Sequence, residues 1–269
     1  MEEIYLDNSA TTRVCEKSAE KVLELMTQCY GNPSSLHKKG LEAQREVAHA
    51  RQAVAVSLGA QPREIIFTSG GTEANNLAVL GGAAAGRRRG KRIVTTAIEH
   101  PSVLEPMRQL EKEGFEVVFL TPDADGRVPE EAVLKAVTGD TILISVMAVN
   151  NELGSIQPIE VLKKAVKRAG APALVHVDGV QAYGKLPLRP EKLGIDLLTV
   201  SGHKIHGPKG VGALYVSKNA RILPRTFGGG QERELRPGTE AAPLIAGLGA
   251  AAEELPDWRQ AHSRMEQLR

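Results

Sequence analysis

Two cysteines in 269 residues, Cys15 and Cys29, are too few for a disulfide framework, and neither stands in a CxxC pair of the kind that builds a zinc site. A reducing cytoplasm is the compartment such cysteine usage predicts. Charge of one sign is equally scarce: 34 basic against 32 acidic side chains leave a formal net charge of +2. That is far from the clustered basic footprint a nucleic-acid partner needs. The one dense basic run, Arg87 to Arg92, stands between a small-residue helix tail and an apolar strand and reads as a solvated loop. No apolar run reaches membrane-spanning length, and the opening MEEIYLDNSATT is acidic and polar where a signal peptide is basic and then apolar. No membrane or targeting segment is therefore expected. The nucleotide-binding pattern G-x-x-x-x-G-K-[ST] is missing, so ATP chemistry is not expected either. His203 and His206 lack a carboxylate at a spacing that would complete a helical metal site, and no metal is expected.

What is present is a chain of 42% hydrophobic and 25% charged residues, enough for one large domain with a sizeable core. Apolar strand-like runs (EIIFTSG, KRIVTTAIE, FEVVFL, TILISVMAVN, ALVHVDG, IDLLTVSG) alternate with amphipathic helix-like runs such as IEVLKKAVKRAG, in which Val161, Leu162, Ala165 and Val166 recur at helical spacing. This alternation predicts an α/β fold: a mostly parallel central sheet with helices on both faces. Ligands of such sheets gather at the carboxyl ends of the strands. Those ends read TSGGTEANN, IEH, VNNE, VDGVQ and SGHK, each polar where the strand before it was apolar.

In the first of these ends, the glycines before and at Gly71 let backbone approach a ligand, and Thr72 opens a helix whose free N–H groups favour an anion, as in a phosphate cradle. Lys204, set past a buried strand, is placed to be a tethered nucleophile, a phosphate ligand or a loop charge; desolvated, it suits a Schiff base with a carbonyl cofactor. Asp178 ends ALVHVDG, where a buried carboxylate needs a cation or donors, and a protonated pyridine nitrogen answers that need. His100 is suited to lie on a flat ring or to serve as a hydrogen-bonded strand end. Asn151 and Gln181 carry amide donors for a phenolate or for loop capping. Ser201 and His203 flank the lysine as candidate phosphate donors. A phosphate, a phenolate, a pyridine nitrogen and an aldehyde together describe pyridoxal 5′-phosphate.

The stretches YLDNSATT, YGNPSSLHKKG, EIIFTSGGTEANN, IEHPSVL, MAVNNELGSIQP, HVDGVQAYGK, SGHKIHGPKGVGALYV and GGGQERELRPGT resemble, jointly and from Tyr5 to Thr239, the NifS-like cysteine desulfurases of class V of the fold-type-I pyridoxal-phosphate enzymes. The resemblance implies that Lys204 carries the cofactor, Asp178 pairs with its ring nitrogen and His100 stacks on the ring. It assigns Gly71, Thr72, Ser201 and His203 to the phosphate, and Asn151 and Gln181 to the phenolate side. Thr239 would reach the phosphate of a neighbouring subunit, which implies a homodimer. L-cysteine would be the substrate, alanine the product, and a sulfur-acceptor or iron–sulfur scaffold protein a partner. By the same resemblance, residues 1–15 are an N-terminal piece of the small domain, 16–250 the cofactor-binding large domain and 251–269 the start of an otherwise missing C-terminal small domain.

In that family the sulfur-accepting cysteine and a carboxylate-binding arginine lie downstream of the matched stretches. The expectation is therefore that these 269 residues in isolation bind the cofactor weakly and transfer no sulfur, with Cys15 and Cys29 inert. Gly179 and the sequence GTEAAP depart from the family pattern in ways expected to matter little. The alternatives are another class V enzyme, a selenocysteine lyase or a kynureninase-like hydrolase, and a non-catalytic cofactor-binding scaffold.

Overall fold

Strand-forming runs buried on both faces and helices with one apolar stripe can only satisfy each other in layers. The structure, a computed structural model, describes residues 4–268; residues 1–3 and 269, the outermost parts of the expected terminal pieces, lie outside the described residues. In chain order the elements are α1 (Glu16–Thr27), α2 (Lys38–Leu58), β1 (Ile65–Thr68), α3 (Gly71–Gly86), β2 (Arg92–Thr96), α4 (Pro101–Lys112), β3 (Glu116–Leu120) and α5 (Glu130–Ala136). There follow β4 (Thr141–Met147), α6 (Glu160–Ala169), β5 (Leu174–Asp178), α7 (Pro190–Leu193), β6 (Leu197–Ser201), β7 (Gly212–Val216), α8 (Ala242–Glu253) and α9 (Trp258–Leu268).

The sheet order is β1-β7-β6-β5-β4-β2-β3. Strands β3, β2, β4, β5 and β6 are mutually parallel, whereas β7 runs antiparallel to both β6 and β1. The mostly parallel sheet expected from the alternation is thus present. The strand β7, inside GPKGVGALYV, was not among the expected ones: it is a return strand joined to β6 by the loop that carries Lys204, with only a single 3-10 turn, Gly202–Lys204, and no α-helix between the two. Two reversals cancel, so β1 points the same way as the parallel strands and its end at Thr68 meets theirs.

Alternate residues of each strand serve opposite faces. Ile93, Leu143, Leu174, Leu197 and Leu214 pack with α3 and α4, while Val94, Ile144, Val175, Leu198 and Ala213 pack with α2, α5, α6 and α8. Helices on both faces are therefore confirmed. Small residues let α3 lie close to its neighbours: a Cβ on Gly81 would stand 2.5 Å from the carbonyl oxygen of Leu223, and one on Gly86 would stand 2.9 Å from Cβ of Ile142. Close seating of α3 brings its N-terminus to the edge where β1, β5 and β6 finish. Arg87, Arg88, Arg89 and Lys91 are exposed, as expected of a solvated loop, but Arg92 belongs to β2 and its Nε donates to the Ala136 carbonyl at 2.9 Å.

Candidate active site

A cavity of about 550 Å³ opens at this edge, and it gathers Gly71, Thr72, His100, Asn151, Asp178, Gln181, Ser201, His203 and Lys204. All the residues singled out in the sequence line it, with the exception of Thr239, which is exposed elsewhere on the surface. Five strand ends converge because the strands that carry them all finish at one edge of one sheet.

Asp178 is 5% exposed at the last position of β5. Its Oδ1 accepts from the Val180 amide at 2.9 Å, and its Oδ2 accepts from Asn75 Nδ2 at 2.7 Å. Burial pushes its pKa above the usual carboxylate range, against the two hydrogen bonds and the charge of Lys204. No salt bridge among the described residues involves it. A buried carboxylate with two neutral donors and a cavity in front of it suits a cationic N–H in that cavity.

The wall beside it is the start of α3. Its N-cap, Gly70, has φ 152 and ψ −177, a conformation nearly reserved for glycine. The amides of Gly71, Thr72 and Glu73 precede the first intrahelical bond, from Ala74 N to Gly70 O at 3.1 Å, so they are free to meet an anion. A Cβ on Gly71 would stand 2.9 Å from Val180 Cγ2, so nothing larger fits there. A second cavity of about 330 Å³ continues around this helix end, lined by Ser69, Gly70, Ser201, His203 and Lys209 among others.

Lys204 lies in a single helical turn after β6. Its Nζ donates to the carbonyls of Ser9 and, at 2.9 Å, Ala10. Partial burial lowers its pKa, and the charges of Asp7 and Asp178 oppose that shift. His203 is shifted down by burial, then by Lys204 and Lys209, and its Nδ1 lies 3.2 Å from Thr11 Oγ1. Segment 7–12 is therefore part of the site, held also by Gln181 Nε2 on Ser9 O (2.9 Å) and by Thr12 N on His203 O (2.8 Å). The resemblance had placed this segment in a separate domain and given it no site role.

Sequence reasoning also missed Asn75, Ser102, Lys185 and Glu99. Asn75 and Ser102 line the cavity and bond to each other. Burial pushes the Lys185 pKa down to about 8, assisted by the charge of Lys204. In VNNE the two asparagines part company. Asn151 faces the cavity, whereas Asn150 braces the loop, donating to Ile98 O at 3.0 Å and accepting from Leu153 N at 2.8 Å. Gly179 is tightly enclosed: a Cβ there would stand 2.7 Å from Leu198 Cδ1 and 3.1 Å from the Thr199 carbonyl. Cys15 and Cys29 are half-buried against the core and line no part of the cavity.

Glu99, one residue before His100, is 4% exposed. Its Oε1 accepts from Thr96 Oγ1 (2.7 Å) and Met147 N (2.8 Å), while Oε2 has no partner among the described residues. Burial raises its pKa from 4.5 to about 8. Between those values the unfolded chain binds fewer protons than the fold, so stability falls as pH rises through the window, by on the order of 3–5 kcal/mol. Glu99→Gln keeps the accepting oxygen and cannot ionise. It is expected to match the wild type in urea unfolding at pH 5 and to exceed it at pH 9; equal losses with pH in both proteins would refute the buried acid.

The chain matches the Aminotransferase class-V family over residues 4–268. It is 46% identical over 251 residues to the cysteine desulfurase IscS of Dictyoglomus turgidum, covering 93% of this chain and 63% of that one. It is 47% identical to the mitochondrial cysteine desulfurase of Candida albicans, covering 93% and 51%. The chain spans less than two thirds of the length of these curated relatives. Among solved structures, a NifS-like protein superposes with a TM-score of 0.95 at 44% identity, covering 99% of this chain and 73% of that one. SspA in complex with cysteine gives 0.91 at 38%, covering 99% and 77%. A family match over nearly every residue, on a sheet of the same architecture, places this chain in the class-V aminotransferase family, among its NifS-like members.

Proposed function

We propose that this chain carries the cofactor site of a pyridoxal 5′-phosphate-dependent cysteine desulfurase, which takes L-cysteine to alanine and passes the sulfur on as a persulfide for iron–sulfur cluster or thio-cofactor assembly. The observation that carries this reading is the meeting of Lys204, the buried Asp178 and the free N-terminus of α3 in one cavity. The fit to the cofactor rests on that donor set. Among the described residues the carboxylate has no ion-pair partner and the helix-end amides have no hydrogen-bond partner, and the glycine cradle admits no side chain at position 71. When bound, the cofactor supplies an aldehyde that condenses with amines and a ring that takes up the electron pair left when Cα loses a proton.

The roles of the chain's own residues follow. Asp178 would pair with the ring nitrogen; Gly71, Thr72, Ser201 and His203 would hold the phosphate; Asn151 and Gln181 would donate to the phenolate oxygen; His100 would cover the ring face. Lys204, with its lowered pKa, exists to a larger extent as the free amine, which serves first as the attachment point and then as the base that removes the Cα proton. Likeness to SspA, solved in complex with cysteine, supports L-cysteine as substrate. The exposed position of Thr239, outside the cavity of its own chain, supports its service to a second copy in a homodimer. Because Cys15 and Cys29 lie away from the cavity, the thiol that receives the sulfur is a different group, and a sulfur-acceptor or scaffold protein is the onward partner. The large domain on this reading is 16–250, with 1–15 and 251–269 belonging to the small domain, and the compartment is the cytoplasm.

Borohydride reduction of the cofactor-loaded chain, followed by peptide mass mapping, tests the reading. The expected result is one pyridoxyl label, on Lys204. A label on Lys185 or Lys209, or none, would overturn it.

A further inference from the structure

Four side chains form a directed relay across the floor of the cavity. Asn75 Nδ2 donates to Asp178 Oδ2 at 2.7 Å and to Ser102 Oγ at 2.9 Å. Ser102 Oγ lies 2.8 Å from His100 Nδ1. The backbone amide of Ser102 also points at that nitrogen, at 3.1 Å. This last contact sets the direction of all the others. A backbone N–H can only donate, so Nδ1 of His100 is an acceptor and carries no proton. The Ser102 hydroxyl must then give its single hydrogen to Nδ1, so its oxygen receives one N–H of Asn75, and the other N–H of Asn75 goes to the carboxylate.

Two further features mark the arrangement as more than packing. Asn75 is 1% exposed and Ser102 is 7% exposed, so the bonds of Asn75 to Ser102 and to Asp178 do not compete with solvent. The Asn75 amide keeps this orientation although its Oδ1 is buried with no donor among the described residues. An unsatisfied buried carbonyl is costly, and a side chain chosen for stability alone would not leave one. The amide is oriented by what its nitrogen must reach.

We infer that Asn75 and Ser102 are positioning residues that tie His100 to Asp178 and orient the imidazole with Nδ1 as acceptor and a proton on Nε2. That nitrogen has no hydrogen-bond partner among the described residues. In the assigned site, on which this consequence rests, His100 therefore meets its ligand as a hydrogen-bond donor. Its other nitrogen is fully engaged and cannot serve as a base until the Ser102 contacts break. The group it faces would be an anion or a lone pair, such as the carboxylate or thiolate of an amino-acid substrate.

Nitrogen-15 NMR of the histidine-labelled full chain without cofactor reads the tautomer directly, with the His100 signals assigned through His100→Gln. The expected wild-type spectrum is that of the Nε2–H tautomer. Ser102→Ala removes one of the two donors to Nδ1 and should lower the ratio of Nε2–H to Nδ1–H by about tenfold, the equivalent of one hydrogen bond. Ser102→Thr, which keeps the hydroxyl, should restore it. A wild type with its proton on Nδ1, or an unchanged ratio in Ser102→Ala, overturns the relay. Because the measurement needs no cofactor, it stands apart from the labelling of Lys204: the relay can hold while that assignment falls, and the reverse.

Discussion

Asp178→Asn is expected to leave the cofactor attached to Lys204 while slowing exchange of the Cα proton of a bound amino acid by about 10²–10⁴-fold, the range in which proton transfer by positioned groups is worth most. The wild-type carboxylate lies buried with its two oxygens already supplied by Val180 N and Asn75 Nδ2. What it adds to those bonds is negative charge directed into the cavity, which holds a ring nitrogen in its protonated form. An asparagine has the same shape but no charge. Its carbonyl oxygen can satisfy one of the two donors, and its NH₂ then confronts the other or the ring. On the proposed reading attachment would depend on Lys204, whose pKa loses only the opposing charge of Asp178, and on the anion site of α3, which the substitution does not touch. Deuterium uptake at Cα of L-alanine, followed by proton NMR beside the visible absorption of the bound cofactor, separates the two effects. Equal losses of binding and exchange would remove Asp178 from this role.

Arg51→Ala is expected to destabilise the fold by about 3–5 kcal/mol, the usual penalty when one partner of a buried ion pair is removed. Arg51, from α2, grips Glu232 in a two-pronged pair at 2.8 and 2.7 Å, and it also donates to the Ile65 carbonyl at 2.8 Å. Its guanidinium stands 4.6 Å from the centre of the Phe67 ring. The Glu232 carboxylate, 1% exposed, also accepts from Phe67 N at 2.9 Å. Around it Glu232, Arg233 and Glu234 occupy the left-handed region with φ of 44°, 60° and 63°. Three such residues in succession persist only where surrounding contacts over-determine them. Without Arg51 the Glu232 carboxylate keeps only the Phe67 amide as a donor and faces the Glu240 carboxylate, which Arg51 also holds at 3.6 Å, and the strained loop loses its anchor. Against a typical total of about 5–15 kcal/mol, such a loss brings the protein near its unfolding threshold. Urea unfolding of Arg51→Ala and of Arg51→Ala/Glu232→Gln decides the cause. The double variant, free of the stranded charge, should recover part of the loss; if it is no more stable than the single one, the explanation fails.

The same loop shows where reading a sequence stops. GGGQERELRPGT presents four charged side chains among glycines, the composition of a solvated turn, yet Glu232 is core and Arg236 reaches Glu73 at the start of α3, with Nε to Oε1 at 3.0 Å. Asn75 reads as one polar residue in a small-residue helix, and Glu99 as one acid in AIEHP. Nothing in either stretch tells that both are buried around Asp178. By contrast, Lys204, Asp178 and Gly71 were legible because each follows or ends an apolar run where a strand finishes at that edge of the sheet.

The sequence by itself determined the architecture and the place of the site. Alternating apolar and amphipathic runs leave a layered α/β sheet as the way to bury both, and a sheet whose strands finish at one edge must collect their polar ends there. Tertiary structure alone decided the partners. The return of β7 folds the Lys204 loop back on the sheet, segment 7–12 crosses it, and bonds spanning 103 residues between Asn75 and Asp178 or 181 between Arg51 and Glu232 exist only once the chain is packed. The physical reason lies in range. Periodicity and strand ends are local properties of a dozen residues, whereas the burial that shifts a carboxylate, fixes a tautomer or strands a charge depends on everything the fold places around it.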